Sequence, residues 1–208
     1  YDRGKAYTKM GEWDKAIADF NEALRIDKAF AEAYCLRGCA VFARNRRDSD
    51  KAIKDLTRAI QLDPQNADAY CGRGSVYAAR RDFDKAVSDF TEAIRLNPKN
   101  AEAYGRRGST YIERDEPELD KALADYSQNL RLNPNDIVAL RWRSYIYCRK
   151  GDFDKAIGDL NRAIQLNPRD GEPYYYRGRA YLDKGDPIKA EKNFEQAEEL
   201  GYKPPEVL

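Results

Sequence analysis

The sequence predicts an all-α chain of about six stacked pairs of antiparallel helices, and three observations carry that prediction. Residues 67–100, ADAYCGRGSVYAARRDFDKAVSDFTEAIRLNPKN, recur on both sides of themselves at a period of 34 residues or slightly more. Within that unit Tyr70, Gly74 and Tyr77 stand 4 and 3 apart, and Ala86, Phe90, Ala93 and Leu96 stand 4, 3 and 3 apart. Each segment therefore shows one apolar stripe at helical spacing. The segments are punctuated by an Asn-Pro step and a following Asn suited to capping the next helix.

Taken in order, residues 1–30 enter at position 5 of a period, with Gly4, Tyr7, Ala16, Phe20 and Ala23 in register and Lys28 where proline is expected. Residues 31–66 form a second copy, two residues longer between its helices around residues 45–48, with Val41 replacing tyrosine. Residues 67–100 are the type unit. The copy at 101–136 again has two extra residues near 115–118, and Asn129 stands where a small alanine is expected. At 137–170 Ser144 replaces glycine; 171–204 keeps Gly178, Tyr181, Ala190, Phe194 and Ala197, and 205–208 form a tail. Small residues at positions 8, 20 and 27 let backbones approach, and aromatics at 11 and 24 fill the space between them. Asp63, Asn97, Asn133, Asn167 and Gly201 are expected to end the second helices in a left-handed turn, with Asn66, Asn100, Asp136 and Asp170 capping the next first helices. One pair cannot bury its stripe alone, so the copies must stack.

Tyr70, Gly74, Tyr77, Ala86, Phe90, Ala93 and Pro98, at positions 4, 8, 11, 20, 24, 27 and 32 of the unit, make this chain resemble the tetratricopeptide repeat. The resemblance covers all but the last four residues and implies a right-handed solenoid that forms a single array. It further implies a concave groove lined by the first helices at positions 2, 5, 6, 9, 12 and 13, whose variation sets the partner. That register places Cys35, Leu36, Cys39 and Phe42 toward the amino end. Arg106, Arg141, Trp142, Tyr145, Arg149, Tyr175, Tyr176 and Arg179 follow toward the carboxyl end. The implied function is a non-catalytic scaffold that holds an extended peptide or a partner's helix. Trp, Tyr and Arg are the types that dominate interface hot spots. Four arginines with only Glu113 and Asp183 near them in the groove register favour an acidic partner with an apolar anchor. Some relatives clamp a terminal carboxylate between Lys and Asn; here the clamp register reads Tyr1, Lys5, Leu36, Asp68 and Gly72, which excludes that mode.

Composition bounds the alternatives. The 37 Lys plus Arg against 36 Asp plus Glu leave a net charge of +1, with no global pull toward nucleic acid or anionic membrane. No apolar run approaches the roughly 20 residues of a spanning helix. Localisation stays open, the cytoplasm favoured, and a start inside a repeat without Met leaves room for a leader, anchor or further domain. The absence of histidine removes the commonest general base and the usual nucleophile triads, so no enzyme is expected. Cys35, Cys39 and Cys71 can cluster, but no Cys-x-x-Cys pair accompanies them, and they read as small apolar side chains with no metal or cofactor. Arg3, Arg37, Arg73, Arg107, Arg143 and Arg177 at position 7 match Asp19, Asp55, Asp89, Asp125, Asp159 and Asn193 at position 23, a structural ladder of pairs. Arg44, Arg80, Arg114, Lys150 and Lys184 at position 14 suit helix C-termini. Two other functions stay in view: a module that self-associates through its terminal repeats, and an RNA reader of helical pairs, which the near-zero charge disfavours.

Overall fold

A computed structural model describes residues 1–204; the tail at 205–208 lies outside the described residues. Among the described residues are twelve α-helices, one 3₁₀ turn and no strand. The first helices of the pairs are α1 (Asp2–Lys9), α3 (Ala31–Arg44), α5 (Ala67–Ala79), α7 (Ala101–Glu113), α9 (Ile137–Arg149) and α11 (Gly171–Lys184). The second helices are α2 (Trp13–Ile26), α4 (Ser49–Leu62), α6 (Phe83–Leu96), α8 (Leu119–Leu132), α10 (Phe153–Leu166) and α12 (Pro187–Glu199). They form two compact units, one from Tyr1 to Thr110 and one beginning at Tyr111.

In the first unit Phe20, Leu56 and Phe90 are fully buried, each against a small residue of its own first helix. A Cβ added at Gly4 would lie 2.8 Å from the Phe20 ring, at Gly38 2.9 Å from Leu56 and at Gly74 2.9 Å from the Phe90 ring. The second unit repeats the device at Gly178, where a Cβ would come within 2.7 Å of Phe194. Ser144 occupies that position opposite the smaller Leu160, and its hydroxyl donates to the Arg141 carbonyl at 2.7 Å. Asn129, in the small-residue place on α8, is buried as well.

The second helices do not end as the sequence led us to expect. Asp63, Asn97, Asn133 and Asn167 are extended, with φ between −132° and −141°, and of the five expected left-handed positions only Gly201 (φ 78°) is one. The cause is the proline that follows each of the four, whose ring crowds the preceding residue out of helical backbone and into extended backbone. Left-handed residues fall instead between the helices of a pair, at Gly11, Arg81, Gly151 and Gly185. The expected caps do form: Asn66, Asn100 and Asp136 accept from the third amide of the next helix at 2.9–3.0 Å, and Asp170 from the second at 3.0 Å. The two extra residues of the second copy become the 3₁₀ turn Arg46–Asp48, capped by the Asn45 side chain.

Two sets of ion pairs tie the helices together. Arg37 grips Asp55 through two hydrogen bonds of 2.7 Å, Arg73 grips Asp89 at 2.8 and 2.9 Å, and Arg143 grips Asp159 at 2.7 Å twice. The remaining guanidinium nitrogen reaches back to the preceding second helix: Arg37 to Asn21 at 2.8 Å, Arg73 to Thr57 at 3.1 Å, Arg107 to Thr91 at 2.9 Å and Arg177 to Asn161 at 2.7 Å. A second set joins Arg44 to Asp14, Arg80 to Asp50, Lys150 to Asp120 and Lys184 to Asp154, each 30 residues back. The basic residues at position 14 thus serve the joint between neighbouring pairs as well as the helix end.

Candidate interaction sites

In the first unit α3 packs beside α5, and their exposed faces with the start of α7 enclose a cavity of about 580 Å³. All four amino-side groove residues line it: Cys35, Leu36, Cys39 and Phe42. Cys71 and Gly72 complete the floor, where a Cβ on Gly72 would meet Cys39 Sγ at 2.9 Å and Leu56 at 3.0 Å. The three sulfurs do line one cavity, yet among the described residues no three His, Cys, Asp or Glu side chains form a metal-binding group. Donation to Cys39 and burial hold the Cys35 thiol up in the protonated form, the same hydrogen bond lowers Cys39 from the usual thiol value, and burial pushes Cys71 up to about 12. The protonated thiols of Cys35 and Cys71 are weakly polar and poorly nucleophilic.

Arg106 lines this cavity rather than the carboxyl-side patch, and it hydrogen-bonds Glu102 one turn earlier at 2.7 Å. Three further lining residues were not singled out from the sequence, although Asp68 and Glu102 stand at position 2 of the groove register. Arg46 stands in the inserted 3₁₀ turn with its guanidinium 5.5 Å from the centre of the Phe42 ring, and Asp68 and Glu102 lie in the first turns of α5 and α7. The insertion at residues 45–48 was itself the available signal, since an irregular turn at the groove edge is where a side chain can be re-aimed.

In the second unit α9, α10 and α11 enclose about 310 Å³. Tyr145, Arg149, Tyr175, Tyr176 and Arg179 meet there, over a floor of Ser144, Cys148 and Leu160, with Asp183 at the rim. Arg149 donates to the Tyr145 hydroxyl at 2.8 Å, and Tyr175 and Tyr176 contact edge to face with ring centres 5.5 Å apart. Tyr175 also makes tilted ring contacts with Phe194 and Tyr202, with centres 5.6 and 5.3 Å apart.

Two expected members stand apart. Trp142 is exposed and rests edge-on against Tyr145 with ring centres 5.9 Å apart, outside the cavity lining. Arg141 is engaged by Glu172, 31 residues on, in the first turn of α11. Burial raises the Glu172 carboxyl above the usual glutamate range, and the Arg141 charge opposes that rise. The expectation that few carboxylates neutralise the groove arginines is thereby corrected: Glu172 serves Arg141 and Glu102 serves Arg106. A pairing 31 residues apart on neighbouring first helices is invisible to a search for repeated offsets.

Helix pairs of one period, stacked through arginine joints and presenting open cavities on their first helices, define a helical-repeat protein. A family model described as TPR repeat matches residues 4–44, 48–80 and 145–185, more than half of the chain. Two models described as tetratricopeptide repeat match 67–100 and 171–200. The chain belongs to the tetratricopeptide repeat family. A search of curated proteins returned no match. Among solved structures the chain is similar to MamA, at 27% identity and a TM-score of 0.71 over 76% of this chain and 91% of that one. It is similar in fold to YrrB, described as a TPR protein with an unusual peptide-binding site, at 23% identity, TM-score 0.74, covering 87% and 91%. It also shares the fold of PilF from Pseudomonas aeruginosa, at 18% identity, TM-score 0.82, covering 96% and 89%.

Proposed function

We infer that the chain is a non-catalytic scaffold that binds an acidic peptide segment, or the acidic end of a partner helix, through the Tyr/Arg cavity on α9 and α11. The observation that carries this reading is the meeting of Arg149 and Arg179 with three tyrosines around about 310 Å³, a volume suited to one large side chain. Among the described residues neither arginine makes an ion pair, so an incoming carboxylate or phosphate has two cations to meet. The tyrosines supply apolar area at small entropic cost, and the guanidinium geometry favours planar anions. Arg141 is held by Glu172 and is not among the residues that line this cavity.

The test is fluorescence anisotropy with a peptide carrying Glu beside Leu or Phe. Binding should weaken with added salt, and the Arg149→Glu/Arg179→Glu double variant should lose more than the corresponding double alanine variant, because reversal adds repulsion to lost attraction. Affinity indifferent both to salt and to the double reversal would remove this cavity as the binding site.

A further inference from the structure

The cavity of the first unit differs in chemistry from the Tyr/Arg cavity. Its floor is Cys35, Cys39, Cys71 and Val76, all weakly polar or apolar, with Leu36 and Phe42 as walls. Gly72 keeps it deep, since even a single carbon there would press on Cys39 and Leu56. Its charges are divided by position. Arg46 follows the carboxyl end of α3, whereas Asp68 and Glu102 lie at the amino ends of α5 and α7. Glu102 is committed to Arg106, and among the described residues neither Arg46 nor Asp68 has an ion-pair partner. First helices in one unit run parallel, being separated by two chain reversals, so one rim of the cavity is basic and the opposite rim acidic.

We propose that this cavity is a second docking site, taking a peptide segment whose flexible apolar anchor, methionine or leucine, is flanked by an acidic residue at the Arg46 rim and a basic residue at the Asp68 rim. The thioether of methionine suits a floor of thiols beside an aromatic wall. Spacing follows from the helix: α3 has 14 residues and a rise of about 1.5 Å per residue, hence about 20 Å between rims. An extended segment advances about 3.3 Å per residue, so its acid and base stand about six residues apart. Charge complementarity at both rims, rather than apolar area alone, selects this occupant over a purely hydrophobic one. The site is independent of the Tyr/Arg cavity, so the chain carries two recognition chemistries.

The probe is fluorescein-labelled Glu-Ser-Ala-Met-Leu-Ser-Lys with blocked ends, titrated with the full chain. Arg46→Glu and Asp68→Lys should each weaken binding roughly tenfold. Arg46→Glu should then prefer a probe with Lys at both ends, and Asp68→Lys a probe with Glu at both ends. Gly72→Val, which fills the floor, should abolish binding, with circular dichroism confirming its helix content. Arg149→Glu/Arg179→Glu should leave this probe unaffected, which separates the present site from the function proposed above. Absence of wild-type binding up to about 1 mM, equal affinities across the rim variants, or a chain dimer that Arg46→Glu dissolves would each overturn the proposal, the last in favour of a second copy as occupant.

Discussion

Arg73 and Arg3 occupy the same place in the repeat and form the same two-pronged bond with an aspartate, yet their surroundings differ. The side chains of Arg73 and Asp89 are 18% and 8% exposed, whereas that of Arg3 is 75% exposed. Removing Arg73 leaves a buried carboxylate and a Thr57 hydroxyl without their partner, and Arg73→Ala should cost about 2–4 kcal/mol in denaturant unfolding. Arg3→Ala should hardly move the midpoint, because solvent screens an exposed pair; equal losses at the two sites would contradict this account. The last pair supplies the opposite experiment. Arg177 faces Asn193 instead of an acid, and burial without a carboxylate pulls its guanidinium below the usual arginine value. Asn193→Asp should therefore raise stability by about 1 kcal/mol, read as a higher melting temperature. The Arg/Asp offsets were legible in the sequence because they recur. The backward reach to Asn21, Thr57, Thr91 and Asn161 was not, because the residue type changes and only a short side-chain oxygen is kept.

At the scale of the helix, each pair is set by how closely its two backbones approach. Gly74 lies under the fully buried Phe90 ring, which has no room to retreat. Gly74→Ala should cost about 1–3 kcal/mol, and the cost should shrink in a Phe90→Leu background, as the natural pairing of Ser144 with Leu160 suggests. A double-mutant cycle by thermal melting measures that coupling, and additive losses would mean that the ring does not limit the approach. The helices, their order and their caps were legible because apolar spacing and the Asn or Asp caps agree. Their ends were misread where two local rules compete: asparagine tolerates a left-handed turn, but the next residue's proline ring excludes it from helical backbone, and the steric term wins. The cavities were half legible. The groove register drew together Cys35, Leu36, Cys39 and Phe42, and Tyr145, Arg149, Tyr175, Tyr176 and Arg179, but set Arg106 with the second group and added Arg141 and Trp142, which line neither cavity. Arg46 depends on an insertion, and the Arg141–Glu172 pair on a contact between neighbouring copies.

For the molecule as a whole, the side chain that ordinarily titrates near neutrality is missing. There is no histidine, and burial pushes the thiols of Cys71 and Cys148 up to about 12 and about 11. Asp19, Asp48 and Asp186 are held below the usual carboxylate range, chiefly by hydrogen bonds from Arg3, Lys51 and Lys189. A folded-state value below the unfolded one means that their contribution is complete above about pH 4 and is lost as pH falls through the folded value. Melting temperature should accordingly be level from pH 6 to 8 and fall below about pH 4; a slope near neutrality would point to a group not accounted for. The backward-reaching arginines also bear on how such a chain can lengthen. An interior pair brings both an arginine that binds the pair before it and a short side-chain oxygen that receives the arginine of the pair after it. A tandem duplication within a unit would therefore arrive with both halves of its own joint, and the gene could gain a repeat without a second, compensating change elsewhere.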